Sequence, residues 1–333
     1  MRPIRRLLLT ATAALLAGAA PFAAAQTKWD MPTGYPIGNP HTVTLSLFAK
    51  DVEAATGGKL KITVHPNGSL FKAPEILRAV EGGQAQMGEV LMSLLTNQSP
   101  LFGADALPFV ATGFDDSYRL WQAQRPVLER MLAKRGVKLL YAVAWPPQGI
   151  YAKKEIKSAA DMKGLKWRAY NPATTKIAQV VGAQPLTIQA AELSQALATG
   201  VVDSFMSSGA TGVDSKVWES LTHFHVVDAW LPKNMLVVNQ KDFDKLDKAT
   251  QDIVVKLAAE AEKKGWERMR GYTTESLEIL RKNKMAIVAP TPQLMSDMRK
   301  IGDEMLADWL KQAGPDGQEI VDAYRKSAPA AKK

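Results

Sequence analysis

Two hydrophobic rhythms alternate along this chain. KLKITVHP (residues 59–66) switches between apolar and charged positions every second residue, the mark of a half-buried strand, and TKWDMP (27–32) before it reads as another. Between them, Pro40 to Ala55 follows the helical period with Val43, Leu47, Phe48 and Val52 on one face, and Gly57-Gly58 closes the unit. Pro74 to Val80 predicts a helix with proline in its first turn, stopped by Gly82-Gly83, and QMGEVLMSLL (86–95) a further strand. Asp116 to Lys134 is helical, with Leu120, Val127, Leu128 and Met131 inward, and leads into the strand VKLLYAVAW (137–145). Such alternation predicts an α/β layer architecture with a mainly parallel sheet.

Past Trp145 the chain meets Pro146-Pro147-Gln148-Gly149, a stiff turn and the first expected crossing between domains. A second α/β set follows: GIYAKK, LKWRAY, a helix from Asn171 to about Val181, a helix from Gln189 to Ala198, VVDSFM, a helix from about Gly212 to Leu221, and HFHVV. A second crossing is expected near Leu231-Pro232, before the strand NMLVVNQ. Ala249 to Lys282 is the longest helical pattern, roughly 50 Å at ~1.5 Å per residue, enough to run across two domains. Gly265 and Gly271 are expected to let it bend. Two crossings and one shared helix predict two lobes hinged around a cleft: residues 26–145 with about 234–270 as the first, and 146–233 with about 271–328 as the second.

Composition narrows the class. Of 333 residues, 46% are hydrophobic and 23% charged, ordinary for a globular chain of two domains. Residues 1–25 (MRPIRRLLLTATAALLAGAAPFAAA) have the basic head, short apolar centre and small-residue end of an export signal, with cleavage expected after Ala25. Removing it lowers the formal charge from +9 to +6, since three arginines and no acids go with it. Charges of both signs are interspersed, with no basic stripe carrying aromatics, so nucleic-acid binding is not expected. The absence of cysteine excludes disulfides, thiolate metal sites and thiol nucleophiles.

Catalytic signatures are missing: no G-x-S-x-G, P-loop, G-x-G-x-x-G or H-E-x-x-H occurs. His223 and His225 share a strand face but lack a third ligand at a recognisable spacing, and read as an amphipathic strand. Ser207-Ser208-Gly209 stands between a strand and a helix, where it either caps the helix or meets a ligand. The stretch KGLKWRAYNPATTK (163–176) holds the sharpest clue. Its strand delivers Arg168, Tyr170 and Asn171 to the carboxyl edge where open α/β sheets bind ligands, and Asn171-Pro172 starts a helix. A guanidinium fork there suits a carboxylate; an internal acid is the competing partner.

SAADMKGLKWRAYNPATTKIAQVVGAQPLTI, followed by ELSQALATGVVDSFMSS, closely resembles the DctP-like substrate-binding proteins of tripartite ATP-independent periplasmic (TRAP) transporters. Asp161 to Arg168, Gly182-Ala183-Gln184-Pro185 and Glu192 to Asp203 fit that family's core pattern. LSLFAKDVEAATGGKLKITVHPNGSL and PLFGADALPFV extend the likeness over nearly the whole chain after the leader. The resemblance implies a two-lobed periplasmic receptor, a long helix spanning both lobes, and a salt bridge from Arg168 to a ligand carboxylate. It puts Ser207 or Ser208 at a ligand-facing position, and Gln148 where sialic-acid-binding members have a second arginine. The expected ligand is an organic monocarboxylate, a 2-oxo or 2-hydroxy acid with an aromatic one included. Arg168, Ser207, Ser208 and Asn171 would serve one lobe, with Gln148 at the crossing. Tyr35, Asn39, His41, Phe71, Lys72, Glu89 and Asn234 would serve the other, while Trp145, Phe71, Tyr170 and Tyr35 form an aromatic wall. No cofactor or metal is implied, and the partners are the small and large TRAP permease subunits. A receptor for an ATP-driven importer or a sensor kinase shares this physics, whereas a hydrolase would need an activated nucleophile.

Overall fold

The structure is a computed structural model that describes residues 26–328; the expected export signal lies outside them. The first lobe begins with β1 (Thr27–Pro32), α1 (Pro40–Ala55), β2 (Leu60–His65), α2 (Ile76–Glu81), β3 (Met87–Leu91), α3 (Phe114–Ala133) and β4 (Val137–Ala144). The second holds β5 (Gln148–Ala152), β6 (Lys166–Ala169), α4 (Pro172–Val180), β7 (Gln184–Thr187), α5 (Leu193–Ala198), β8 (Ser204–Ser208), α6 (Gly209–Asp214) and β9 (His223–His225). The chain then returns through β10 (Lys233–Asn239) and α7 (Gln240–Asp244), and finishes with α8 (Lys248–Lys282), β11 (Ala286–Val288) and α9 (Pro292–Lys326).

The sheets are mixed rather than mainly parallel. In the first lobe β1 and β2 pair in parallel, but β10 lies antiparallel between β3 and β4. In the second lobe, ordered β11-β9-β5-β8-β6-β7, β5 runs antiparallel to both β8 and β9. The reason lies in the crossings. β5 and β10 are the strands that enter each lobe straight from the other, so no crossover helix turns them into the parallel direction. Both crossings form one ribbon: the Trp145 N–H donates to the Pro232 carbonyl at 2.8 Å, and the Gln148 N–H to Trp230 at 3.0 Å. This paired ribbon is the natural hinge.

The shared helix is present as expected, with α8 packing on α1 and β4 in one lobe and on α6 and β11 in the other. It runs as one continuous helix. A Cβ on Gly265 would come within 2.6 Å of Val143, so this glycine lets α8 approach β4, while Gly271 faces open space. The expected division gave 271–328 to the second lobe. However, α9 meets that lobe near its start, where Asp297 accepts from the Ala159 N–H, and then lies along α3, with Trp309 donating to the Pro100 carbonyl. We assign its C-terminal part to the first lobe.

Several local boundaries differ from the sequence pattern. β3 ends at Leu91 and Met92–Leu95 tightens into a 3-10 turn, while the turn Ala73–Glu75 precedes α2. α6 starts at Gly209 directly after β8, and on α1 the buried face is Leu45, Phe48, Ala49 and Val52, with Leu47 exposed. His225 uses both ring nitrogens internally, accepting from the Ile156 N–H and facing the Ile150 carbonyl, and burial lowers its pKa. It has no nitrogen free for a metal. No group of three or more potential metal ligands occurs among the described residues, and no described helix is long and apolar enough to cross a membrane.

Candidate functional site

A cavity of about 210 Å³ lies between the lobes, against the crossing ribbon. Tyr35 and Lys72 reach it from the first lobe, Trp145, Gln148 and Pro232 from the ribbon, and Arg168, Tyr170, Ser207 and Thr211 from the second lobe. Most of them sit at a strand end or just beyond one. Arg168 and Tyr170 mark the end of β6, Ser207 the end of β8, and Thr211 the first turn of α6, matching the rule that open α/β sheets present ligands at their carboxyl edge.

Arg168 dominates the electrostatics. It is 3% exposed, its Nε donates to the Ile188 carbonyl at 2.8 Å, and its guanidinium lies over the rings of Tyr170 (4.9 Å) and Phe205 (5.9 Å). No carboxylate among the described residues pairs with it. Burial consequently pulls its pKa down to about 10. The other buried cation of this region, Lys233, has Asp105: the carboxylate accepts from the Lys233 backbone N–H at 2.7 Å, with the ammonium 3.9 Å away. Desolvation still pushes Asp105 up to about 6 and Lys233 down to about 8. The contrast is informative, because a buried charge is tolerated only with a counter-charge or hydrogen bonds around it. No described residue accepts a hydrogen bond from the terminal nitrogens of Arg168.

The walls are held from behind. Tyr170 donates to Gln148 Oε1 at 3.1 Å, and the Gln148 amide nitrogen to the Pro146 carbonyl at 2.9 Å, tying the ring beneath Arg168 to the hinge. Trp145 donates to Asn234 Oδ1 at 2.8 Å, and Tyr35 packs on Trp145 with ring centroids 4.8 Å apart. Burial raises the Tyr35 and Tyr170 hydroxyls well above the usual phenol range, so both stay neutral donors. Ser207 donates to Thr211 Oγ1 at 2.8 Å.

The fourteen residues nominated from sequence thus divide. Arg168, Tyr170, Gln148, Trp145, Ser207, Tyr35 and Lys72 line the cavity. Asn234 stands behind Trp145, and Ser208 caps α6. Glu89 is buried deeper, accepting from Thr33 at 2.7 Å with His41 Nδ1 3.4 Å away, and the His41 ring packs on Trp145. Phe71 packs against the core, Asn39 caps α1, and Asn171 caps α4 while facing a neighbouring cavity rather than this one. Thr211, Leu91, Leu94 and the turn Gln189–Glu192 line the site without having been nominated. Thr211 lies one helical turn beyond Ser207 and was findable by that spacing; the turn carries no local signal.

Fold and site together define a two-lobed receptor that encloses a small solute between its domains. The model of the DctP family, described as bacterial extracellular solute-binding protein, family 7, matches residues 34–312, and the chain belongs to that family of TRAP-transporter receptors. It is similar to the Bordetella pertussis extracytoplasmic solute receptor DctP6, whose structure binds pyroglutamic acid: 56% identity, 90% of this chain, all of that one, TM-score 0.89. DctP7 of the same organism, also binding pyroglutamic acid, is 42% identical over 90% of this chain and 99% of its own, TM-score 0.89. A TRAP solute-binding protein from an unidentified marine-metagenome microbe, specific for pyroglutamate, is 45% identical over 90% and 99%, TM-score 0.88.

Proposed function

We propose that this chain is a periplasmic receptor for pyroglutamate, the lactam of glutamate, which it encloses by closing its lobes and hands to the small and large subunits of a TRAP permease. The observation that carries the reading is the buried guanidinium of Arg168, which lines the cavity and which no carboxylate among the described residues pairs. One carboxylate, held by the terminal nitrogens, completes it; in a dry site such a charge-assisted pair is short and strong. The three similar receptors support a lactam ring as the rest of the ligand. The cavity, below the ~300 Å³ at which drug-sized sites begin, suits a five-membered ring between Tyr35, Trp145 and Tyr170. The Ser207–Thr211 hydroxyls serve its amide. Export by the 1–25 leader, cleaved after Ala25, puts the receptor in the periplasm, and its task is binding and release without turnover.

Isothermal titration of the chain from residue 26 against pyroglutamate, glutamate, proline, and 2-oxo and 2-hydroxy acids tests this. Pyroglutamate is expected to bind at least about tenfold more tightly than any other, about 1.4 kcal/mol. Silence with pyroglutamate, or tighter binding of a 2-oxo or 2-hydroxy acid, sinks the ligand assignment.

A further inference from the structure

Two asparagines at the cleft each make two kinds of bond at once. Asn39 in the first lobe accepts from the His41 N–H at 2.8 Å through Oδ1, capping α1, while its Nδ2 donates at 2.6 Å to Asp214 Oδ2, the last residue of α6 in the second lobe. Asn171 in the second lobe mirrors it. Its Oδ1 accepts from the Thr174 N–H at 2.8 Å, capping α4, and its Nδ2 donates at 2.8 Å to Ser93 Oγ in the first lobe. Each lobe reaches into the other with the donor end of an amide whose acceptor end is locked in its own helix. A carboxamide is suited to this because its two ends are chemically distinct. Capping already restricts the side chain, so the cross-lobe bond costs little additional rotamer entropy.

Both asparagines are buried, and neither lines the ligand cavity. Both arms nevertheless continue into it: α6 ends on Asp214 and begins at the Ser207–Thr211 pair, and Asn171 follows Arg168 and Tyr170 along the chain. We infer that Asn39 and Asn171 form a reciprocal clasp, two positioning residues that hold the closed lobes together and slow ligand release without touching the ligand. Opening the cleft breaks both bonds. The Asn39 bond is the stronger because its acceptor is a carboxylate.

The clasp does not depend on which acid binds. Asn39→Ser and Asn171→Ser keep a good helix cap but are too short to cross the cleft. The chain has no cysteine, so Lys50→Cys and Lys163→Cys on exposed positions of the two lobes accept a spin-label pair, and the interlobe distance distribution is read ligand-free and with saturating pyroglutamate. Each serine variant is expected to shift the distribution to longer distances and, wherever wild type binds, to raise the pyroglutamate off-rate about tenfold for Asn39 and about fivefold for Asn171. Ligand-free melting temperatures should stay at the wild-type value. Asp214→Asn, which keeps an acceptor but loses its charge, should raise the off-rate less than Asn39→Ser does, and Asp214→Ala as much as Asn39→Ser. Distributions matching wild type in both conditions overturn the clasp, as does a shift that appears only with a matching loss of ligand-free stability. If pyroglutamate leaves wild type unmoved, the ligand assignment fails and the ligand-free distributions alone judge the clasp.

Discussion

Arg168 is a cost to the empty protein. A base whose folded pKa is depressed, here from 12.5 to about 10, is stabilising only above its unfolded value, and that contribution is lost as pH falls through 10. At neutral pH the fold therefore holds a charge it would shed, and a bound carboxylate relieves it. Arg168→Met should abolish pyroglutamate binding by calorimetry yet raise ligand-free stability by roughly 1–2 kcal/mol in urea unfolding. A variant less stable than wild type would mean that the guanidinium is already satisfied by Ile188 and the two aromatic rings.

Among the elements, α8 shows how a helix seat depends on close approach. At Gly265 the helix meets Val143 of β4 and Thr44 of α1 with no room for a methyl group, whereas at Gly271 nothing lies within 4 Å. Gly265→Ala is expected to cost roughly 1–3 kcal/mol through overpacking, and Gly271→Ala to gain up to about 1 kcal/mol through helix propensity. Urea midpoints read both, and equal effects at the two positions would refute this account of the helix seat. The composition of α8 alone did not reveal the difference. Both glycines interrupt the same amphipathic pattern, and only the neighbours across the interface distinguish them.

For the molecule as a whole, stability should respond to pH through Asp214. Burial raises this carboxyl from 3.8 to about 6, the hydrogen bond from Asn39 partly opposes that rise, and Asp214 in turn raises the Tyr272 hydroxyl. The raised value means that the folded chain favours the protonated form. The contribution is fully present below about 3.8 and is lost as pH rises through 6. Urea-unfolding stability should therefore rise between pH 7 and 5, and Asp214→Asn should flatten that dependence; unfolding midpoints across this range decide it. An unchanged slope in the variant would assign the effect elsewhere, for instance to Asp105 beside the hinge.

Local chemistry made much of this protein legible. Period and punctuation mark most of the strands and helices, Asn171-Pro172 announces its helix, and KGLKWRAYNPATTK places an arginine at a strand end, because these depend on neighbours in the chain. The direction of β5 and β10 was not legible, since it depends on how the chain re-enters a lobe after crossing. Asn39 and Asn171 looked like ligand contacts because a polar residue opening a helix toward a cleft has the same local signature whichever partner its free end finds. Nor could the pattern say that Arg168 lacks an acid while Lys233 has one. Partnership across a cleft is a property of packing, made by residues as distant in sequence as Asn39 and Asp214, and it exists only once the lobes meet.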